Sequence, residues 1–381
     1  MDSLSKGKKM TKIKNNLVLA LSGIMVGFIL CCNNASAAEI SISSEKIPQE
    51  KVEIAKEKWE EYSNNFIMDT SSKLSDYYLG QGFTVNNLET ANFPIVKRDS
   101  KDISYILQIS KDNQLLLSKN YGTKLNDLSK RKTGSDSNPI TLFGDKQTIF
   151  YSDQQGDSDV LIGHDPEPES TSIDSVNQGN QLTVNLTEVL ENPNLSKNSL
   201  MAAFDHVVLP WKAYEIQTDK PWCNWYTITG VMNNLANRKV VTAEQLIRGS
   251  YPKATTAEIN DVKWIIKQNL ITSLNYANSK YKMSIAYEAG KPNFTSVKNE
   301  IKTRKSAFVV NCEDKKGGYG HSLVQMGYTA SSNSANAPYY YYWNPWWEDT
   351  FVVSSSAPYM ELGVAQYMPD GSIINFSKPT Y

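Results

Sequence analysis

Three separated motifs carry side chains whose chemistry is complementary. Pro221-Trp222-Cys223-Asn224-Trp225-Tyr226 places a thiol where a helix should begin. An unperturbed thiol ionises near ~8.5, and the unpaired N–H groups and dipole of a helix start favour its anion. Cys223 is therefore prepared to be a nucleophilic thiolate, although an inert buried Cys is the commoner role for one such residue. Gly317-Gly318-Tyr319-Gly320-His321-Ser322-Leu323-Val324 then brings His321 on a glycine-rich turn into an apolar strand. Glycines there permit a tight turn and the approach of another backbone. The chain has three His, His164, His206 and His321, and only His321 shares the helix-then-strand region with Cys223. Taken alone, a His at a strand edge equally fits a structural role.

The third motif is the aromatic run Tyr339–Trp343 followed by Asn344-Pro345-Trp346. An imidazole that takes a proton from a thiol needs its other nitrogen held by an acceptor. The Asn344 side-chain oxygen can do this, and Trp346 can shield the bond from water. Asn-Pro is also an ordinary turn at a strand end. Gln217 stands six residues before Cys223. With the Cys223 amide it can donate to a developing oxyanion, an effect worth about 3 kcal/mol of barrier. The joint arrangement suits acyl transfer through a thioester.

In this order the motifs resemble those of the papain-like cysteine peptidases, and more closely the staphopain-type secreted bacterial branch, with Trp-Cys at the helix start, Gly-His before an apolar strand, and Trp-Asn-Pro-Trp. The resemblance covers residues from about 203 to 381. It implies Cys223 as nucleophile, His321 as general base and acid, Asn344 as its orienter, Gln217 as oxyanion donor and Trp346 as shield. It also implies a two-lobe α+β catalytic domain, a helical lobe packed on an antiparallel sheet or half-barrel lobe. The first half corresponds to the family's inhibitory prodomains in position, size and coarse α+β pattern. The expected partners are protein or peptide substrates and the chain's own propeptide as inhibitor, with room for a dedicated protein inhibitor. No cofactor or metal is expected. The chain departs from the plant-like members in lacking several disulfides and in having Asn224, rather than a small residue, after the nucleophile, which leaves the specificity pocket open but not the mechanism.

Two other classes fit part of the pattern. A cell-wall amidase or transglutaminase-like enzyme also sets Cys on a helix and His on a strand, but it usually carries a different third member or wall-binding modules. A non-enzymatic exported binding protein would instead pair Cys223 with Cys312 in a disulfide.

These residues need elements to position them. Cys223 to about Asn237 reads as a helix with Ile228, Met232 and Leu235 on one face. Thr242-Ala243-Glu244-Gln245 and Thr255-Thr256-Ala257-Glu258 both fit capping boxes. The second should open a helix with Ile259, Val262, Ile265 and Ile266 on one side, and 296–304 should be a further short helix. Strands follow at Ala307–Val310, Ser322–Tyr328, Tyr339–Trp343, Phe351–Val353 and Ser372–Phe376. Upstream, Val52, Ala55, Trp59, Tyr62 and Phe66 recur at helical spacing within 45–67. Ile103, Tyr105, Leu107 and Ile109 alternate as in a half-buried strand, with a turn at 111–114 and a returning strand at 115–117. Further strands are expected near Thr141–Phe143, Thr148–Tyr151 and Leu182–Val184, and polar loops at Lys130–Pro139 and Asp153–Ser175. Asn192–Ser199 reads as an exposed linker, with maturation expected near 192–203.

The N-terminal segment 1–37 reads as a signal peptide. Five Lys precede an apolar run from Leu17 to Cys32, followed by Ala35-Ser36-Ala37. The run is short against the ~20 residues of a bilayer-spanning helix. Its removal takes five Lys and one Asp from 39 basic and 40 acidic residues, leaving 34 against 39, net −5. That balance suits an extracellular protein and argues against nucleic acid or stable membrane association. Of the four Cys, Cys31 and Cys32 leave with the signal, so Cys223 and Cys312 alone remain. The expected organisation is thus signal peptide 1–37, propeptide 38–200 and catalytic domain 201–381.

Overall fold

Trp59 anchors the helix Gln49–Ile67 with no exposed surface, flanked by buried Ala55 and Tyr62. Burying an aromatic side chain of this size contributes up to about 3 kcal/mol. These are the positions whose spacing predicts the helix, and they pack on the strands Ala91–Lys97 and Ile103–Ile109. The computed structural model describes residues 40–67, 70–131, 139–145, 148–152, 158–163, 182–191, 204–331, 337–363 and 365–380. The expected signal segment, the linker Asn192–Ser199 and His164 lie outside them.

Strand Ile103–Ile109 turns through Lys111–Gln114, where Asn113 takes a left-handed φ of 62°, and returns as Leu115–Ser118. The strands expected near 141, 148 and 182 are present as Ile140–Asp145, Thr148–Ser152 and Leu182–Asn185. They form a five-stranded sheet with Ser41–Ser44 and Ser158–Ile162. The last of these corrects the reading of Asp153–Ser175 as loop throughout. Likewise Lys130 and Arg131 are not loop but close a helix, Asn120–Arg131.

The second half begins with strand Phe204–Val208 and the helix Cys223–Ala236, ended by Asn237 at φ 53°. Both capping boxes form. Thr242 Oγ1 accepts from the Gln245 amide and Gln245 returns the bond, and Thr255 pairs with Glu258 in the same way. The second box does not open one continuous helix. Asp261 is extended (ψ 117°), which splits it into Thr256–Asn260 and Val262–Ile265. Ile266 consequently leaves the apolar face and is 57% exposed. The stretch 296–304 is covered by a short helix, Phe294–Lys298, and one π-helical turn, Asn299–Thr303.

Strands Phe308–Asp314, His321–Ser331, Tyr339–Asn344, Asp349–Ser354 and Ala365–Ile374 build the sheet lobe. Its side chains alternate between two cores. Val309, Val324, Tyr341 and Trp343 face the helices, while Phe308, Val310, Leu323 and Tyr342 face the opposite layer. The sheet does not stop at the lobe's edge. Phe351, Val352 and Val353 pair antiparallel with Ser118, Leu117 and Leu116, so strands of both halves join one 14-stranded sheet. The expected α+β class and the helical and sheet lobes of the second half are present.

Candidate active site

Cys223 is the first residue of its helix, and Trp222 before it offers no side-chain cap. The Trp225 and Tyr226 amides close the first turn on the Trp222 carbonyl, both at 2.9 Å, while the Cys223 and Asn224 amides at the helix start face the thiol. Two indoles fix this end. Trp222 Nε1 donates to the Ile259 carbonyl at 2.6 Å and Trp225 Nε1 to Ser273 Oγ at 3.0 Å. Cys223 and Cys312 are both free thiols. Cys223 lines a cleft of about 430 Å³ whose walls include Gln217, Asn224, His321 and Trp346.

His321 begins its strand opposite Cys312. The turn before it needs glycine. Gly317 has φ 79°, and a Cβ on Gly320 would lie 2.7 Å from the Cys312 carbonyl oxygen. His321 Nε2 bonds Asn344 Oδ1 at 2.9 Å, which leaves Nδ1 as the other ring nitrogen. The Tyr367 ring packs on the imidazole, with centroids 5.3 Å apart. Burial lowers the His321 pKa to about 4, opposed by the Asn344 bond. Burial also pushes the Cys223 thiol up, while the Ser322 hydroxyl and nearby backbone groups, the helix-start amides among them, pull it back.

Asn344 ends the strand Tyr339–Asn344, is fully buried, and pairs across the hairpin with Asp349. Its Oδ1 also accepts from the Trp346 amide at 3.0 Å, so two donors converge on one oxygen. Gln217 is tied to the same hairpin, its amide N–H donating to the Pro345 carbonyl at 3.1 Å. Gln217 Nε2 donates to Lys220 O at 2.9 Å, which leaves its second N–H uncommitted. The sequence motifs around Gln217, Cys223, His321, Asn344 and Trp346 are therefore brought to one place.

Sequence reasoning did not single out Tyr367, Ser322 or Asn311. Ser322 Oγ lies 2.7 Å from Asn224 Oδ1 and 3.1 Å from Asn311 Oδ1. A Ser next to a key His carries no signal of its own. Its neighbours come from strand register and helix docking, which a linear pattern does not display.

Residues 201–374 match the staphopain peptidase C47 family. They belong to it. Over 371 residues the chain is 24% identical to Staphopain B of Staphylococcus aureus strain N315, covering 90% of this chain and 91% of the relative. The Staphopain B proteins of strains NCTC 8325 and MRSA252 match to the same extent. The chain is a cysteine endopeptidase of the staphopain type, with a papain-like α+β catalytic half. The relatives align along nearly the whole chain, so the likeness extends over its first half as well as its staphopain-family half. Asn224, the residue after Cys223, accepts from the Ser322 hydroxyl at 2.7 Å.

Proposed function

We propose that Cys223 is the nucleophile of this endopeptidase, His321 its general base and acid, and Asn344 the group that orients the imidazole. The observation that carries this is the His321–Asn344 bond of 2.9 Å beside a cleft that Cys223, Gln217 and Trp346 also line. With Nε2 held, Nδ1 takes the thiol proton as sulfur attacks the substrate carbonyl. Gln217 and the Cys223 amide then donate to the oxyanion. The imidazolium protonates the leaving amine, and the neutral imidazole activates water to open the thioester. Trp346 keeps water from the Asn344–His321 bond.

The chain is exported by segment 1–37 as a zymogen, with 38–200 its inhibitory propeptide and 201–381 its catalytic domain. Contacts between the halves support this reading. Asn120 Nδ2 donates to Trp347 O at 2.8 Å and its backbone N–H to Asp349 Oδ1 at 2.6 Å, while the Ser118 hydroxyl bonds the same carboxylate. Tyr341 donates to Asn65 O at 2.6 Å, and the Tyr339 hydroxyl bonds Glu61. The first half thus grips the hairpin that carries Asn344. Cleavage near 192–203 would leave non-covalent contacts such as these to hold the halves together.

N-terminal sequencing of the form secreted into culture medium, beside the Cys223→Ala precursor, tests the reading. A new N-terminus near 192–203, casein hydrolysis by that form and loss of hydrolysis in the variant are expected. Activity on purified peptidoglycan but not casein would move the enzyme to the amidases.

A further inference from the structure

Ser322 is 1% exposed, and a buried hydroxyl is costly unless it is satisfied. Its contacts join three elements. Asn224, one residue after Cys223, comes from the helix, and Ser322, one residue after His321, from the base-bearing strand. Asn311 faces Ser322 across the ladder, from the strand that holds Cys312. Oγ has one proton and meets two amide groups, at 2.7 and 3.1 Å. Both contacts are to carbonyl oxygens, so the hydroxyl proton serves the nearer Asn224 oxygen and is shared with Asn311. Asn224 and Asn311 also line the cleft, so the cluster forms part of its wall.

Trp225 of the helix and Val324 of the strand belong to one apolar core, whose contacts are non-directional. Hydrogen bonds are directional, and inside a protein an unmade one is expensive. A single-residue offset from Cys223 on one side and from His321 on the other makes this cluster a short polar bridge between the two. Misplacement of reacting groups by about 1 Å costs on the order of 10²-fold in rate.

We propose that Ser322 is a positioning residue for the peptidase reaction, its hydroxyl clamping Asn224 and Asn311 so that the thiol of Cys223 is held in line with the imidazole of His321. This rests on the assignment of Cys223 and His321. Ser322 touches no substrate in this role. It acts through the helix start, and its hydroxyl also favours the thiolate over the thiol.

The test uses the full chain, processed to its active form, with Ser322→Ala, Ser322→Thr, Asn224→Ala and the Asn224→Ala/Ser322→Ala pair. kcat and KM on a peptide substrate are measured with the pH profile of Cys223 alkylation by iodoacetamide. Ser322→Ala should lower kcat by about 10- to 100-fold with KM within about twofold, and should move the alkylation midpoint to higher pH. Ser322→Thr keeps the hydroxyl and should recover most of kcat. Asn224→Ala should mimic Ser322→Ala, and the pair should be no worse than either single change, because both break one cluster. Unchanged kcat and alkylation in Ser322→Ala would overturn the proposal, as would additive losses in the pair. Should the alanine variant fail to accumulate, Ser322→Thr and Asn224→Ala decide: low kcat in the former, or wild-type kcat in the latter, overturns it. Cys223→Ala, run alongside, separates this outcome from failure of the nucleophile assignment, which retained activity in that variant would signal.

Discussion

Asn344 Oδ1 lies 2.9 Å from His321 Nε2 and 3.0 Å from the Trp346 amide nitrogen, so one carbonyl oxygen fixes both the imidazole and the turn that follows it. Asn344→Ala removes the acceptor and frees the ring. A lost buried hydrogen bond of this type costs about 1–3 kcal/mol, which corresponds to roughly 10- to 100-fold in kcat. Steady-state kinetics check this, and a kcat unchanged by the substitution would remove Asn344 from the mechanism.

The His321 pKa is lowered to about 4 by burial. A base whose pKa is lowered stays neutral, and able to accept a proton, until pH falls through that value. The acid limb of kcat/KM should therefore lie below the ~6.5 of an ordinary imidazole. Asn344→Ala removes the contact that raises the value, so any residual activity should show the limb at still lower pH. A limb centred at or above ~6.5 would contradict the burial argument.

Gln217 is 4% exposed and held by the Pro345 carbonyl through its backbone and by Lys220 O through its side chain. It is preorganised as a donor. Gln217→Ala should lower kcat by about 10²- to 10³-fold with little change in KM. A loss confined to KM would assign Gln217 to ground-state binding instead.

Asp349 ties the two halves together. Burial, opposed by bonds from the Ser118 hydroxyl and the Asn120 amide, raises its pKa to about 7. An unfolded Asp ionises near ~3.9, so between the two values the folded precursor keeps a proton that the unfolded chain has lost. This group's contribution to stability therefore falls as pH rises from about 4 to about 7. Asp349→Asn keeps an acceptor and never ionises. In the Cys223→Ala precursor, Tm should decline between about pH 4 and about pH 7, and it should decline less when Asp349→Asn is added. Equal slopes would show that Asp349 is not the titrating group.

Local signals reached the structure well where one short segment contains its own determinants. The capping boxes at Thr242 and Thr255 and the alternation of Ile103, Tyr105, Leu107 and Ile109 are of this kind. Helix Leu270–Tyr281 was legible and missed: Asn269 caps it, and Leu274, Ala277 and Tyr281 recur on its buried face. Helix Asn120–Arg131 carries Gly122 in its first turn, and its start is bonded by Asp349, 229 residues away. No local pattern encodes such a partner. The same holds for the pairing of Leu115–Ser118 with Asp349–Ser354, and for Ser322 with Asn224. At the site, residue type and order were enough to single out Cys223, His321 and Asn344, whose motifs converge on one cleft. Their supports, Ser322, Asn311 and Tyr367, depend on which strands lie side by side.

The identity of the nucleophile is tested most directly by treating the processed enzyme with an epoxide-type cysteine-protease inactivator and mapping the adduct by peptide mass. One adduct on Cys223, formed in step with loss of activity, is the expected result, with Cys312 unmodified because it is buried. An adduct on Cys312 instead, or full activity with Cys223 alkylated, would contradict the account.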